Sequence, residues 1–226
     1  RDVAPSRGLG DVYKRQDLKS YGGFVLAFNG GKIINYETGE IVYNKTIPVE
    51  LVPAVYEQAC RLGVGVLTYK GNTIIHGNGV NEYSRNEGKI NGMPIKEVDN
   101  FAEYVDYPVN KFLMTGEPEK IAKAQDVMRQ TFGEQLNIFR SEPFFLEIVP
   151  PSIDKAYSLG KLLEYLGEKK EQMICCGDGF NDKSMIAFAG LGVAMANAQP
   201  EVKEVADYIT TSNDEDGVAL VIDRFM

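Results

Sequence analysis

Apolar residues recur along this chain with two periods, and the order in which those periods alternate outlines its architecture. Phe24 to Phe28 is an unbroken apolar run of strand length, followed by Asn29-Gly30-Gly31, a turn with two positions free to take positive φ. Lys32 to Tyr36 and Ile41 to Lys45 flank the short loop Glu37-Thr38-Gly39-Glu40 and read as a hairpin. Leu51, Val52, Val55, Ala59 and Leu62 keep a helical spacing that ends at Gly63, where a helix C-terminus favours glycine. Strands are expected at Gly65 to Tyr69 and Thr73 to His76. The stretch from Gly77 to Gly92 is polar, rich in Gly and Asn, and reads as a loop.

Asn110 to Met114, Pro118 to Phe132 and Leu136 to Arg140 read as strand, helix and strand, which makes the middle of the chain an α+β unit. Phe144 to Val149 is a further apolar strand. The breaker cluster Pro150-Pro151-Ser152 then precedes a helix from about Asp154 to Leu166, with Leu159, Leu162, Leu163 and Leu166 on one face. Met173 to Cys176, Asp182 to Ala189, Gly192 to Met195, Pro200 to Val205, Tyr208 to Thr210 and Gly217 to Phe225 continue as alternating strand and helix, the signature of a parallel sheet covered by helices. The expected fold class is α/β.

Composition narrows the functional classes. Of 226 residues, 44% are apolar and 25% charged, enough for a packed core; 24 Lys and Arg against 32 Asp and Glu leave a formal charge of −8. With no concentrated positive face, nucleic acid is excluded as an expected partner. No apolar run reaches membrane-spanning length and no signal-peptide pattern opens the chain, so the expected setting is cytoplasmic, without membrane or evident obligate protein partner. Cys60, Cys175 and Cys176 read as reduced structural thiols. Residues 1–16 show neither period, and Asp11 to Gln16 reads as the translation of the transposase mosaic end used in sequencing libraries. Residues 1–16 are therefore expected to be a non-native scar, with natural sequence from Asp17.

The candidate chemistry lies where Met173 to Cys176 runs into Gly177-Asp178-Gly179-Phe180-Asn181-Asp182 and then a helix. That places the carboxylates at the C-terminal edge of a parallel sheet, the edge at which open α/β folds bind ligands. Gly177 and Gly179 permit a sharp turn, and Asp178 and Asp182 can converge on one cation with Asn181 as a neutral oxygen donor. Sparse oxygen ligation of this kind suits Mg²⁺ beside a substrate phosphate. The bland alternative is that Asp182 only caps the helix. An EF-hand fails on spacing, since Lys183 and Ala189 stand where that loop needs Gly and Glu. Lys155, at the start of the preceding helix, can reach the same edge and neutralise a phosphate; its alternative is an ordinary exposed lysine.

In order, Asn29-Gly30-Gly31, a middle α+β insert, a helix led by Lys155, the run Gly177 to Asp182, Gly190 to Ala198 and Asn213 to Gly217 resemble the Cof-type branch of the haloacid dehalogenase superfamily of phosphatases, from Asp17 to Met226. The resemblance implies a Rossmann-like parallel-sheet core from 17–47 and 144–226, lacking its first units, and an inserted α+β cap over 48–143. It implies Asp178 as a Mg²⁺ ligand, Asp182 as ligand or support, Lys155 as the catalytic clamp on phosphate and nucleophile, and Asn181 and Asn29 on the phosphate side. The family's Asp nucleophile, its acid–base Asp two residues later and its phosphoryl-holding Ser or Thr have no counterpart here, because they belong to βα units upstream of Asn29. The implied function is that of a fragment of a Mg²⁺-dependent phosphatase of small phosphorylated metabolites, sugar phosphates above all, working through an aspartyl-phosphate whose Asp lies in the missing N-terminal part. The chain as given is then expected to be inactive. The alternative is a non-catalytic phosphate-binding or regulatory module. The cap loop 77–92 is a candidate specificity element, and His76 is either a substrate contact or an ordinary strand-end residue.

Overall fold

The computed structural model describes residues 22–226, so the expectations for residues 1–16 lie outside the described residues. The chain divides into two compact units, the first ending at Ile153 and the second running from Asp154 to Met226.

In the first unit β1 (Phe24–Ala27), β2 (Lys32–Asn35) and β3 (Ile41–Asn44) form a three-stranded antiparallel sheet in chain order. The turn after β1 holds three successive left-handed residues, Phe28, Asn29 and Gly30, at φ 55°, 56° and 98°. Glycine takes this region at no steric cost, whereas Phe28 is strained there. The β2–β3 turn is closed by Asn35, whose Oδ1 accepts the N–H groups of Glu37 and Thr38 at 3.0 and 3.1 Å.

The rest of the unit comprises α1 (Val52–Leu62), β4 (Gly65–Lys70), β5 (Thr73–Gly77), α2 (Glu82–Asn91), β6 (Ile95–Glu97), α3 (Phe101–Tyr104), β7 (Phe112–Thr115), α4 (Pro118–Phe132), β8 (Asn137–Glu142) and β9 (Phe145–Val149). Its strands form one six-stranded sheet in the order β6-β5-β4-β7-β9-β8, antiparallel except for β5 and β6. Val52, Val55 and Ala59 of α1 and Ile121, Ala124 and Met128 of α4 bury their stripe against Val66, Ile75, Met114 and Ile148 on one sheet face. Leu67, Ile74, Leu113 and Phe145 form the core of the other face.

Two sequence expectations are corrected here. The polar stretch 77–92 contains the ten-residue helix α2. Its buried positions Ser84, Glu87, Gly88 and Asn91 do follow helical spacing, but in polar side chains, so hydrophobic periodicity passes over it. Asn81 starts the helix by accepting the Ser84 N–H at 2.9 Å while Ser84 Oγ accepts the Asn81 N–H at 3.0 Å. The second correction concerns β9, expected in the parallel core. It pairs instead with β7 and β8, from Phe112↔Ile148 to Thr115↔Phe145 on the β7 side. An apolar strand buried on both faces fits either sheet, and the break falls after it, at Pro150-Pro151.

His76 on β5 is fully buried, and neither ring nitrogen has a hydrogen-bond partner among the described residues. Burial pushes its imidazole down from 6.5 to about 4. The unfolded side chain therefore binds a proton at a higher pH than the folded one. Above its unfolded value both states hold His76 neutral and protonation adds no cost; stability falls as pH drops from 6.5 toward 4, by up to about 3 kcal/mol. Urea melts at neutral and mildly acid pH should show this loss in the wild type and a smaller one in His76→Leu. An equal loss in both would assign the acid sensitivity to another group.

The second unit comprises α5 (Lys155–Leu166), β10 (Ile174–Gly177), α6 (Lys183–Phe188), β11 (Leu191–Ala194), α7 (Pro200–Lys203), β12 (Tyr208–Ile209) and α8 (Gly217–Phe225). Its three strands are parallel in the order β10-β11-β12, with register Ile174↔Leu191 and Val193↔Tyr208, as the alternating pattern implies. Ile186, Ala194, Met195, Ala198 and Val202 form its core. Gly192 allows the α6–β11 connection to close tightly, since a Cβ there would lie 2.2 Å from the Ile186 carbonyl oxygen. Gly192→Ala should thus destabilise this unit by about 2 kcal/mol, the scale of an overpacked core, read as faster amide exchange across β10 and β11. Wild-type exchange in the variant would mean that the helix shifts at little cost.

Candidate active site

The loops that follow the three parallel strands converge at the C-terminal edge of their sheet. Gly177 ends β10, and the next five residues turn back into α6. Neither Gly177 nor Gly179 has a positive φ, so the glycines are not there for backbone handedness. Gly177 is required for space: a Cβ there would sit 2.5 Å from the Asp182 Cβ. The side chain of Asp182 is folded over the strand end.

Asp182, only 7% exposed, has both oxygens committed. Oδ2 accepts the backbone N–H groups of Asp178 and Gly179, each at 3.1 Å, and Oδ1 forms an ion pair with Lys155 Nζ. Lys155 is the first residue of α5, and its neighbour Asp154 caps that helix by accepting the Tyr157 N–H at 2.7 Å. The cap fixes where the lysine leaves the helix, and Asp182 fixes where its ammonium stops. One carboxylate therefore holds both the turn and the cation.

Asp178, on the loop, is differently placed. Its Oδ2 accepts a hydrogen bond from Asn197 Nδ2 at 2.8 Å, and Asn197 Oδ1 accepts the Asn213 N–H at 3.1 Å. The loops after all three strands are linked by this one side chain. The Asp178 carbonyl also accepts the Gln199 N–H at 3.1 Å. Nothing local in the run Gly190 to Ala198 assigns Asn197 a role, because it faces a carboxylate 19 residues earlier.

Of the residues singled out from the sequence, Lys155, Asp178 and Asp182 are brought together, and Asn181 lies exposed on the same loop. Asn29 belongs to the first unit. His76 is enclosed within the sheet of that unit, away from solvent, which fits an ordinary buried strand residue rather than a substrate contact. Cys60, Cys175 and Cys176 are free, and burial pushes the Cys175 thiol up to about 11, leaving it protonated and unreactive at neutral pH.

Among the described residues no group of three or more His, Cys, Asp or Glu is arranged to hold a metal. What the loop offers is one partly exposed carboxylate, Asp178, with no hydrogen bond to its Oδ1 among the described residues, and the exposed Asn181 three residues further along the same loop. Such a set fits Mg²⁺, which keeps most of its waters and takes one or two carboxylates beside a phosphate; it would not satisfy Ca²⁺ or Zn²⁺. Asp182, engaged with Lys155 and two amides, is suited to holding that loop in shape.

A family model described as haloacid dehalogenase-like hydrolase matches residues 5–222. The chain belongs to that family. A haloacid dehalogenase-like hydrolase from Bacteroides thetaiotaomicron, known from its crystal structure, is 45% identical and superposes with a TM-score of 0.91, over 95% of this chain and 81% of that one. YxeH of Bacillus subtilis (strain 168) is 30% identical over 226 residues, 97% of this chain and 83% of its own length. The subclass IIB sugar phosphatase BT4131 is 25% identical with a TM-score of 0.76, over 98% of this chain and 84% of that one. No helix among the described residues is long and apolar enough to cross a membrane.

Proposed function

We propose that this chain carries most of a Mg²⁺-dependent phosphatase acting on small phosphorylated metabolites, with sugar phosphates the leading class. The observation that carries the reading is the single assembly of Lys155, Asp182, the Asp178 loop and Asn197 at the ends of three parallel strands. The sugar phosphatase among its structural relatives supports the substrate class.

In this reading Asp178 is the direct metal ligand, and Asp182 holds the loop amides and the lysine. Mg²⁺ held there would supply positive charge to offset that of the phosphoryl group. Lys155 turns its ammonium to a phosphoryl oxygen and to the attacking carboxylate, offsetting the negative charge that gathers in the transition state. Asn181 donates a hydrogen bond on the phosphate side. The attacking Asp belongs to chain preceding the described residues; its carboxylate oxygen bonds to phosphorus as the ester oxygen leaves, protonated by the acid–base Asp two residues on, and water that gives its proton to that Asp then attacks phosphorus, releasing phosphate and the free carboxylate. Two features support an upstream strand and helix packing here: β10 is an edge strand among the described residues, and Leu166, Val218, Leu220 and Ile222 are exposed apolar side chains on α5 and α8.

The test uses the product of the uninterrupted gene alongside the 226-residue chain, each assayed on a panel of phosphate monoesters with Mg²⁺ titration. Turnover by the longer protein and none by the shorter is expected. Activity of the shorter chain that co-purifies through further separation would place the nucleophile within it. A longer protein that binds phosphate without turning any ester over would make this a binding module instead.

A further inference from the structure

The first unit contains a cleft of about 190 Å³ between β2, the end of β4 and the segment leading into β7. Lys32, Lys70, Lys111, Tyr107, Asn44 and Asn110 are among its walls, and no Asp or Glu lines it. Lys111 decides its character. That residue is 2% exposed, yet its ammonium has no hydrogen-bond acceptor among the described residues; the closest carboxylate oxygen, on Glu147, is 3.7 Å away. The Glu147 pair and the Tyr69 ring, its centroid 5.2 Å from Nζ, hold the charge but leave its N–H groups without an acceptor at hydrogen-bond distance. The Tyr107 hydroxyl, also buried, has no hydrogen-bond partner among the described residues. Burial pushes it up to about 12, so it stays protonated and able to donate.

We propose that this cleft binds a small tetrahedral oxyanion of the phosphate class, held by the ammonium groups of Lys111, Lys70 and Lys32 and by the Tyr107 hydroxyl. Three lysines line the cleft, with Glu147 beside Lys111 and Asp106 beside Tyr107, so the cations still outnumber the carboxylates by one, which suits a small anion. Size argues for an ion alone: the cleft holds roughly six waters' worth of volume, below the range of pockets that enclose a whole organic ligand. Lys70 is steadied where it stands, its Nζ 4.5 Å from the Tyr107 ring centroid and 5.1 Å from that of Tyr104. The site involves only residues of the first unit and does not rest on the proposed phosphatase reaction, whose lysine is in the second.

Inorganic phosphate titrated into the ¹⁵N-labelled chain at constant ionic strength tests this. Phosphate should shift the amides of Thr68, Tyr69, Lys70, Asn110 and Lys111, sulfate should compete, and chloride should leave them in place. Lys111→Met should weaken binding roughly tenfold or more, the scale of one charge-assisted hydrogen bond, with Tyr107→Phe and Lys70→Ala each weakening it several-fold. The last two keep the test open if Lys111→Met, which strands Glu147, fails to fold. Lys155→Ala should leave these shifts unchanged. The proposal is overturned if the shifts are absent, if chloride reproduces them, if all three cleft variants bind as the wild type does, or if Lys155→Ala abolishes them.

Discussion

Asp182→Ala is expected to destabilise the second unit by about 3 kcal/mol and to free the loop from Gly177 onward. The substitution strands the Lys155 ammonium, whose side chain is only 18% exposed, and removes the acceptor of the Asp178 and Gly179 N–H groups. Breaking one side of a fully buried ion pair costs about 3–5 kcal/mol; the residual exposure of Lys155 reduces that share, and each lost amide bond adds roughly 1 kcal/mol. Asp182→Asn should fall between, because an amide oxygen still accepts the two N–H groups while its NH₂ faces the lysine. Urea denaturation gives the magnitude and amide exchange at Asp178 and Gly179 gives the location. A variant that keeps both amides protected and melts like the wild type would make the ion pair incidental to the loop.

The parts of this site that could be read from the sequence are those whose cause is local. A short apolar strand, a turn with Gly at two positions and a helix beginning at an acid are written in consecutive residues, so the loop was placed at the right edge of the right kind of sheet. The meeting of Lys155 with Asp182 could also be anticipated, because both stand where a helix begins beside that edge. What could not be read is how the acids divide their work. Asp178 and Asp182 look alike as oxygen donors; only the committed oxygens of Asp182 and the Asn197 bond to Asp178 separate a loop anchor from a candidate ligand. That the glycines allow a tight turn could be read locally; that Gly177 does so by leaving space for Asp182 could not, since it depends on a side chain returning from five residues on. Helix α2 escaped because its buried stripe is Ser, Glu, Gly and Asn. The sheet membership of β9 escaped because a strand buried on both faces carries no mark of which sheet it joins.

Lys155→Ala in a protein carrying the nucleophile should lower turnover by about 10²-fold, the scale for removing one preorganised charge donor from a transition state. Its effect on Mg²⁺ affinity should be small, because the lysine contacts Asp182 and not Asp178. Asp178→Asn should do the reverse. The amide keeps the shape of the ligand and can keep the Asn197 contact, but it lacks the charge that holds a hard cation, so the Mg²⁺ concentration for half-maximal activity should rise about tenfold or more. Lys155→Arg distinguishes charge from position: a planar guanidinium restores the charge without fitting a pocket shaped for a single ammonium beside Asp182, so it should recover only part of the activity. Steady-state kinetics with Mg²⁺ titration on the three variants separates the two roles. Half-maximal activity at the wild-type Mg²⁺ concentration in Asp178→Asn would remove Asp178 as the ligand. A Lys155→Ala enzyme that lost Mg²⁺ affinity and turnover together would mean that the lysine acts only by holding Asp182, and through it the loop that carries Asp178.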